Sequence, residues 1–73
     1  MRATFDKEVD AAYIYLKDKI QKGEVKNTIA LNDDIILYFD EDKKLIGIEI
    51  LSASKIMPQK VVSEISKTAS QKH

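Results

Sequence analysis

"IILYFDEDKKLIGIEIL", residues 35–51, decides the fold. Two runs rich in β-branched and aromatic residues, 35–39 and 45–51, flank a polar turn, the pattern of an antiparallel hairpin. With a loop of Glu41, Asp42 and Lys43, Asp40 stands opposite Lys44, Tyr38 opposite Ile46 and Ile36 opposite Ile48. That register puts Ile36, Tyr38, Ile46, Ile48 and Ile50 on one face. Ile35, Leu37, Phe39, Leu45 and Leu51 fall on the other, beside Gly47 and Glu49. Such a loop places its third residue in left-handed backbone, where glycine is preferred. Here that place falls to Lys43, at a cost of about 1 kcal/mol. The Asp40 side chain is suited to cap the turn.

The acids of this turn also invite a metal-binding reading. A calcium loop needs oxygen ligands at alternating positions, a glycine at the sharp bend and a distal bidentate Glu. After Asp40 and Asp42 the next alternate position is Lys44, a cation, and no glycine marks the bend. "DKEVD", residues 6–10, alternates better through Asp6, Glu8 and Asp10, yet lacks the glycine and has Lys17 where the last ligand should fall. Both stretches therefore read as turns, and neither a metal nor any other cofactor is expected.

Working outward, residues 2–5 and 11–17 read as two strands around the 6–10 turn. Residues 25–31 form a weaker third strand, reached through a connection containing Gly23. After residue 51 the period changes. Met57, Val61, Ile65 and Ala69 recur at helical spacing, with Val62 alongside, predicting a helix over about 58–69. Pro58 suits its first turn, and a short separate turn at 52–56 precedes it. Short connections favour antiparallel neighbours. The expected fold is α+β: an antiparallel β-meander of about five strands (2–5, 11–17, 25–31, 35–39, 45–51) with a C-terminal helix. Residues 1–73 make a single domain, a sheet over 1–51 and a helical tail over 52–73.

The composition removes several function classes. The chain of 73 residues has no cysteine, which excludes disulfides, thiolate zinc sites and cysteine nucleophiles. No apolar run approaches the roughly 20 residues that span a bilayer, and "MRATFDKEVD" lacks the apolar core of a secretory signal. A soluble, cytoplasmic protein with no membrane partner is the expectation. Twelve basic and twelve acidic residues cancel, so no overall field recruits nucleic acid. The balance is uneven: residues 1–51 carry eight basic and eleven acidic residues, a net −3, and residues 52–73 carry four and one, a net +3. Lys55, Lys60, Lys67 and Lys72 make up that modest basic tail.

Little in the chain looks catalytic. His73 is the only histidine and the last residue printed, with nothing after it to fix its geometry. The serines of the helical region have no histidine placed to activate them. Glu49 is the acid of most interest, because it lies between Ile48 and Ile50 in the strongest strand. Its face also carries apolar residues, which would raise its pKa if it were buried; the plainer expectation is a Lys or Arg opposite it on a neighbouring strand. Tyr13, Tyr15 and Tyr38 on strands invite comparison with base-stacking sheets, yet few basic residues are interleaved with them. No nucleic-acid partner is expected.

Both faces of the 35–51 hairpin are apolar in the register above, whereas a sheet with one wet face should alternate. One amphipathic helix covers a single face. The other needs sheet curvature, preceding segments or another molecule, and a small domain without staples gains most from the last. A homodimer is therefore expected.

The segments also resemble the small, mostly prokaryotic proteins of domain-of-unknown-function family 2283. The opening motif is carried by Phe5, Asp6, Glu8, Asp10 and Ala11, then Tyr13, Ile14 and Leu16. The second is carried by Asp40, Asp42, Gly47, Ile48, Glu49, Ile50, Leu51, Ala53 and Ser54. Lys43 stands where the family often has glycine. The resemblance spans roughly residues 4–55 and implies a compact sheet-and-helix domain without an established activity. It also hints at an antitoxin-like role, since some relatives are encoded beside small toxin-like proteins.

Three readings follow. The first is a non-enzymatic, homodimeric protein-interaction module with Tyr13, Tyr15, Glu49, Lys55, Lys60 and Lys67 as candidate contact residues. The second is an antitoxin-like regulator of a cognate small protein. The third is an enzyme using Glu49 as acid or base.

Overall fold

The computed structural model describes residues 1–70, of which 67–70 enter only as helical backbone. The strands are β1 (Arg2–Asp6), β2 (Ala11–Tyr15), β3 (Asn27–Ala30), β4 (Ile35–Phe39) and β5 (Leu45–Leu51). A one-turn helix α1 (Ala53–Ile56) and the longer α2 (Gln59–Ser70) follow. The expected α+β composition holds, with all strand pairs antiparallel. β4 and β5 begin and end where the sequence places them, whereas β2 and β3 are shorter than expected.

The strand order departs from a simple meander: it is β1-β2-β5-β4-β3, with β5 between β2 and β4. Strands β3, β4 and β5 form a meander of two hairpins, and β2 lies beside its last strand, a Greek-key arrangement. The 16–26 connection makes this possible, because it is long enough to carry the chain from β2 to the far edge of the sheet. β5 is the longest strand, with seven residues. Placing it centrally lets both its flanks pair.

The β4–β5 turn forms as its residues dictate. The Asp40 carboxylate accepts the amides of Asp42 (2.8 Å) and Lys44 (3.0 Å). The Lys43 amide donates to the Asp40 carbonyl, and Lys43 takes φ 64° in left-handed backbone. Of the three acids, Asp40 is the one whose carboxylate caps the turn. In the preceding β3–β4 turn, Asn32 Oδ1 accepts the amides of Asp34 and Ile35. Asp6 accepts the Glu8 amide in the first turn.

Beyond the turn the pairing slips by one. Phe39 pairs with Leu45, but Tyr38 pairs with Gly47, Leu37 with Ile48, Ile36 with Glu49 and Ile35 with Ile50. Ile46 is the extra residue of a β-bulge. The expected pairs Tyr38–Ile46 and Ile36–Ile48 are therefore corrected, and so are the faces, because a one-residue slip exchanges them. One face now holds Ile35, Leu37, Phe39, Ile48 and Ile50, with Ala3, Phe5, Ala12 and Ile14 from β1 and β2. The opposite face holds Ile36, Tyr38, Gly47, Glu49 and Leu51, with Tyr13 and Tyr15. The bulge thus sorts what looked like two equally apolar faces into an aliphatic one and one rich in tyrosine.

The helical segment packs on the aliphatic face. Ala12, Ile50 and Ala53 form the buried centre, with Phe5, Ile14, Ile48 and Met57 packed against them. Asp10, at φ 53°, fixes the start of α1: its carbonyl accepts the Ala53 amide, and its carboxylate accepts the Ser54 amide (3.0 Å) and hydroxyl (2.7 Å). These bonds join the first turn to the end of β5. The Pro58 carbonyl accepts the amides of Val61 and Val62, so α2 begins just after the proline. Its chief contact is with β1. No helix among the described residues is long and apolar enough to cross a membrane.

Candidate functional site

The tyrosine face brings the chain's distinctive side chains together. Two cross-strand rows run over it. Arg2, Tyr15, Gly47, Tyr38 and Thr28 form one; Thr4, Tyr13, Glu49, Ile36 and Ala30 form the next. Cross-strand neighbours stand close enough for their side chains to interact. Glu49 and Gly47 are therefore each flanked by tyrosine.

Glu49 is half-buried at the centre. The Tyr38 hydroxyl donates a hydrogen bond to Glu49 Oε1. Tyr13, opposite Glu49 across the strands, also interacts with the carboxylate. The expected Lys or Arg partner is thus replaced by two phenols, because the strands beside β5 bring Tyr13 and Ile36 opposite this residue. The hydrogen bond to the carboxylate, then burial, push the Tyr38 hydroxyl up to about 12. Burial first, then the interaction with Glu49, raises Tyr13 above its ordinary value. Both phenols are held neutral, an arrangement suited to stabilising a carboxylate rather than generating a phenolate.

Gly47 shapes the neighbouring row. A Cβ at this position would stand 3.3 Å from Ile20 Cδ1 and 3.7 Å from Tyr38 Cδ2. The missing side chain leaves a slot between Tyr15 and Tyr38 that Ile20 occupies. The 16–26 connection therefore lies across this end of the face. An ion pair between Lys17 and Glu24 and a bond from the Gln21 amide to Glu24 Oε1 brace it.

Tyr13 and Tyr15 stack with centroids 6.5 Å apart and planes 21° apart. The Arg2 guanidinium carbon lies 4.6 Å from the Tyr15 ring centre, in cation–π geometry. Beside these rings is an open hollow of about 630 Å³, lined by Thr4, Asp6, Lys7, Glu8, Tyr13 and Tyr15, among others.

Of the candidate residues, the structure brings Tyr13, Tyr15 and Glu49 onto one face. Lys55 and Lys60 are exposed in the helical segment, which packs on the opposite face. Lys67 lies in the α2 backbone, and its side chain, like His73, falls outside the described residues. Tyr38 is the member missing from the expected contact set, since the unbulged register puts it across the sheet from Glu49. The available signal was Gly47, because a lone glycine inside a strand pattern marks a bulge or a close approach. Among the described residues, no three His, Asp or Glu side chains gather to hold a metal.

The family pattern described as "Protein of unknown function (DUF2283)" matches residues 2–54, the five strands and the start of α1. The chain belongs to the DUF2283 family. No curated protein and no solved structure matches it. In this DUF2283 chain both motif segments have structural duties. Asp6 and Asp10 build the first turn and secure α1, Asp40 caps the hairpin, and Gly47 and Glu49 shape the tyrosine face.

Proposed function

We propose that this DUF2283 protein is a non-enzymatic interaction module that works as a homodimer. The contact surface is the end of the aliphatic face that α2 leaves open. The observation that carries this reading is the thin core. Among the described residues, no large side chain is fully enclosed; Ile46, at 2 % exposed, comes closest, and Ile29 on β3 is 52 % exposed. Because α2 packs chiefly on β1, no helix among the described residues gives the aliphatic face near β3 a comparable cover. Ile29, Phe39 and Asn27 line a hollow of about 310 Å³ there. A second copy seated on this surface adds the apolar burial that a small domain without staples lacks.

Light scattering across a concentration series tests the reading. The expected result is twice the chain mass, with Ile29→Lys shifting the protein to monomer while its circular dichroism stays unchanged. A wild-type monomer at every concentration would overturn it. So would a dimer indifferent to Ile29→Lys.

A further inference from the structure

We infer that the tyrosine face is a docking site for an arginine side chain of a polypeptide partner, with Glu49 as its anchor. The site lies across the sheet from the proposed dimer surface and does not depend on it.

The carboxylate supplies the first argument. An ionised carboxylate offers about four acceptor positions, and the Tyr38 donor, with Tyr13 alongside, leaves part of that capacity open. Its cross-strand neighbours, Tyr13 and Ile36, carry no charge, so the anion's partners are neutral. The rings supply the second. Tyr13 and Tyr15 form a stacked platform, and Arg2 already lays its guanidinium over Tyr15 at 4.6 Å. The platform therefore takes this group within the chain itself. Local charge supplies the third. Asp6 and Glu8 line the adjoining hollow, where Lys7 is the one cation among the lining residues. With Glu49 they make three acids against Lys7 and the Arg2 guanidinium already over Tyr15, a balance that favours a cationic visitor over a phosphate backbone.

Arginine fits better than lysine. Its planar fork can donate two parallel bonds to a carboxylate and stack on an aromatic face, whereas an ammonium is a compact point charge. The hollow beside the rings gives room for the residues that flank such a side chain.

The test uses the full chain and a blocked Gly-Arg-Gly tripeptide, followed by the nuclear magnetic resonance signals of the tyrosine rings and Glu49. Saturable shifts at Tyr13, Tyr38 and Glu49 are expected. Binding should weaken about tenfold when citrulline, the uncharged isostere, replaces arginine, because the charge-assisted bond is lost. Methylguanidinium should bind at least about threefold more weakly than the tripeptide, lacking the flanking contacts. Glu49→Gln should cost about tenfold, matching the citrulline loss. Absent saturation, equal binding of citrulline, or an unaffected folded Glu49→Gln would overturn the site. Methylguanidinium binding as tightly as the tripeptide would overturn its assignment to a polypeptide. Should Glu49→Gln fail to fold, the citrulline comparison decides alone.

Discussion

Replacing Tyr38 with phenylalanine removes one hydroxyl and leaves the ring. The Tyr38 hydroxyl stands at about 12 in the folded chain against an ordinary 10.0, chiefly because it donates to Glu49. A group whose value rises on folding stabilises the folded state through its protonated form. Its contribution is complete below the unfolded value near 10 and disappears as the pH climbs through the folded value near 12. Taken whole, a two-unit rise corresponds to about 2.7 kcal/mol. Tyr38 is only part-buried, and solvent screening reduces this to about 1–1.5 kcal/mol. Urea unfolding of wild type and Tyr38→Phe should therefore differ by about that much at neutral pH. The gap should close between about pH 10 and 12. Comparing the two proteins cancels the lysines that titrate in the same range. In parallel, the near-ultraviolet tyrosinate absorbance should lose its latest-titrating component in the variant. A gap that stays constant or widens across the window would refute the assignment of Tyr38 as a neutral donor to Glu49.

Two further outcomes test the turns. Lys43 sits at φ 64°, so Lys43→Gly should relieve left-handed strain and raise stability by about 0.5–1 kcal/mol in thermal or urea unfolding; a loss would contradict the turn geometry. Asp10→Gly keeps the backbone freedom that φ 53° requires but deletes the carboxylate that holds Ser54. It should cost about 1–2 kcal/mol, and Asp10→Asn, which retains an acceptor oxygen, should cost less; equal losses would show that the Ser54 bonds contribute little.

The sequence was most informative where local chemistry is sufficient. The acidic turn is legible because Asp40 needs only its own loop to cap, and the loop length assigns the left-handed place to Lys43. The α2 stripe of Val61 and Ile65 is legible because helical spacing is a local property, although Met57 lies ahead of the helix. Strand order was not legible. Nothing within β5 says that β2 will pair with its free flank, since that choice rests on contacts distant in sequence. The bulge escaped because Leu45 and Ile46 are both apolar, so "LIGIEIL" satisfies alternation in either register.

That single extra residue links the fold to the site. In the unbulged register Tyr38 and Glu49 lie on opposite faces, and Ile48 and Ile50 share a face with Tyr38. Inserting Ile46 into the ladder moves Ile48 and Ile50 beside Ile35, Leu37 and Ala12, where the helical segment covers part of them. The same shift sets Glu49 between Tyr13 and Ile36 and within reach of the Tyr38 hydroxyl. β5 then has alternating duties, with Ile48 and Ile50 packing and Gly47 and Glu49 shaping the opposite surface. A strand with the same composition but no bulge would divide its aliphatic residues between the two faces and leave the carboxylate without its Tyr38 donor. The core and the tyrosine face are therefore two consequences of one register choice.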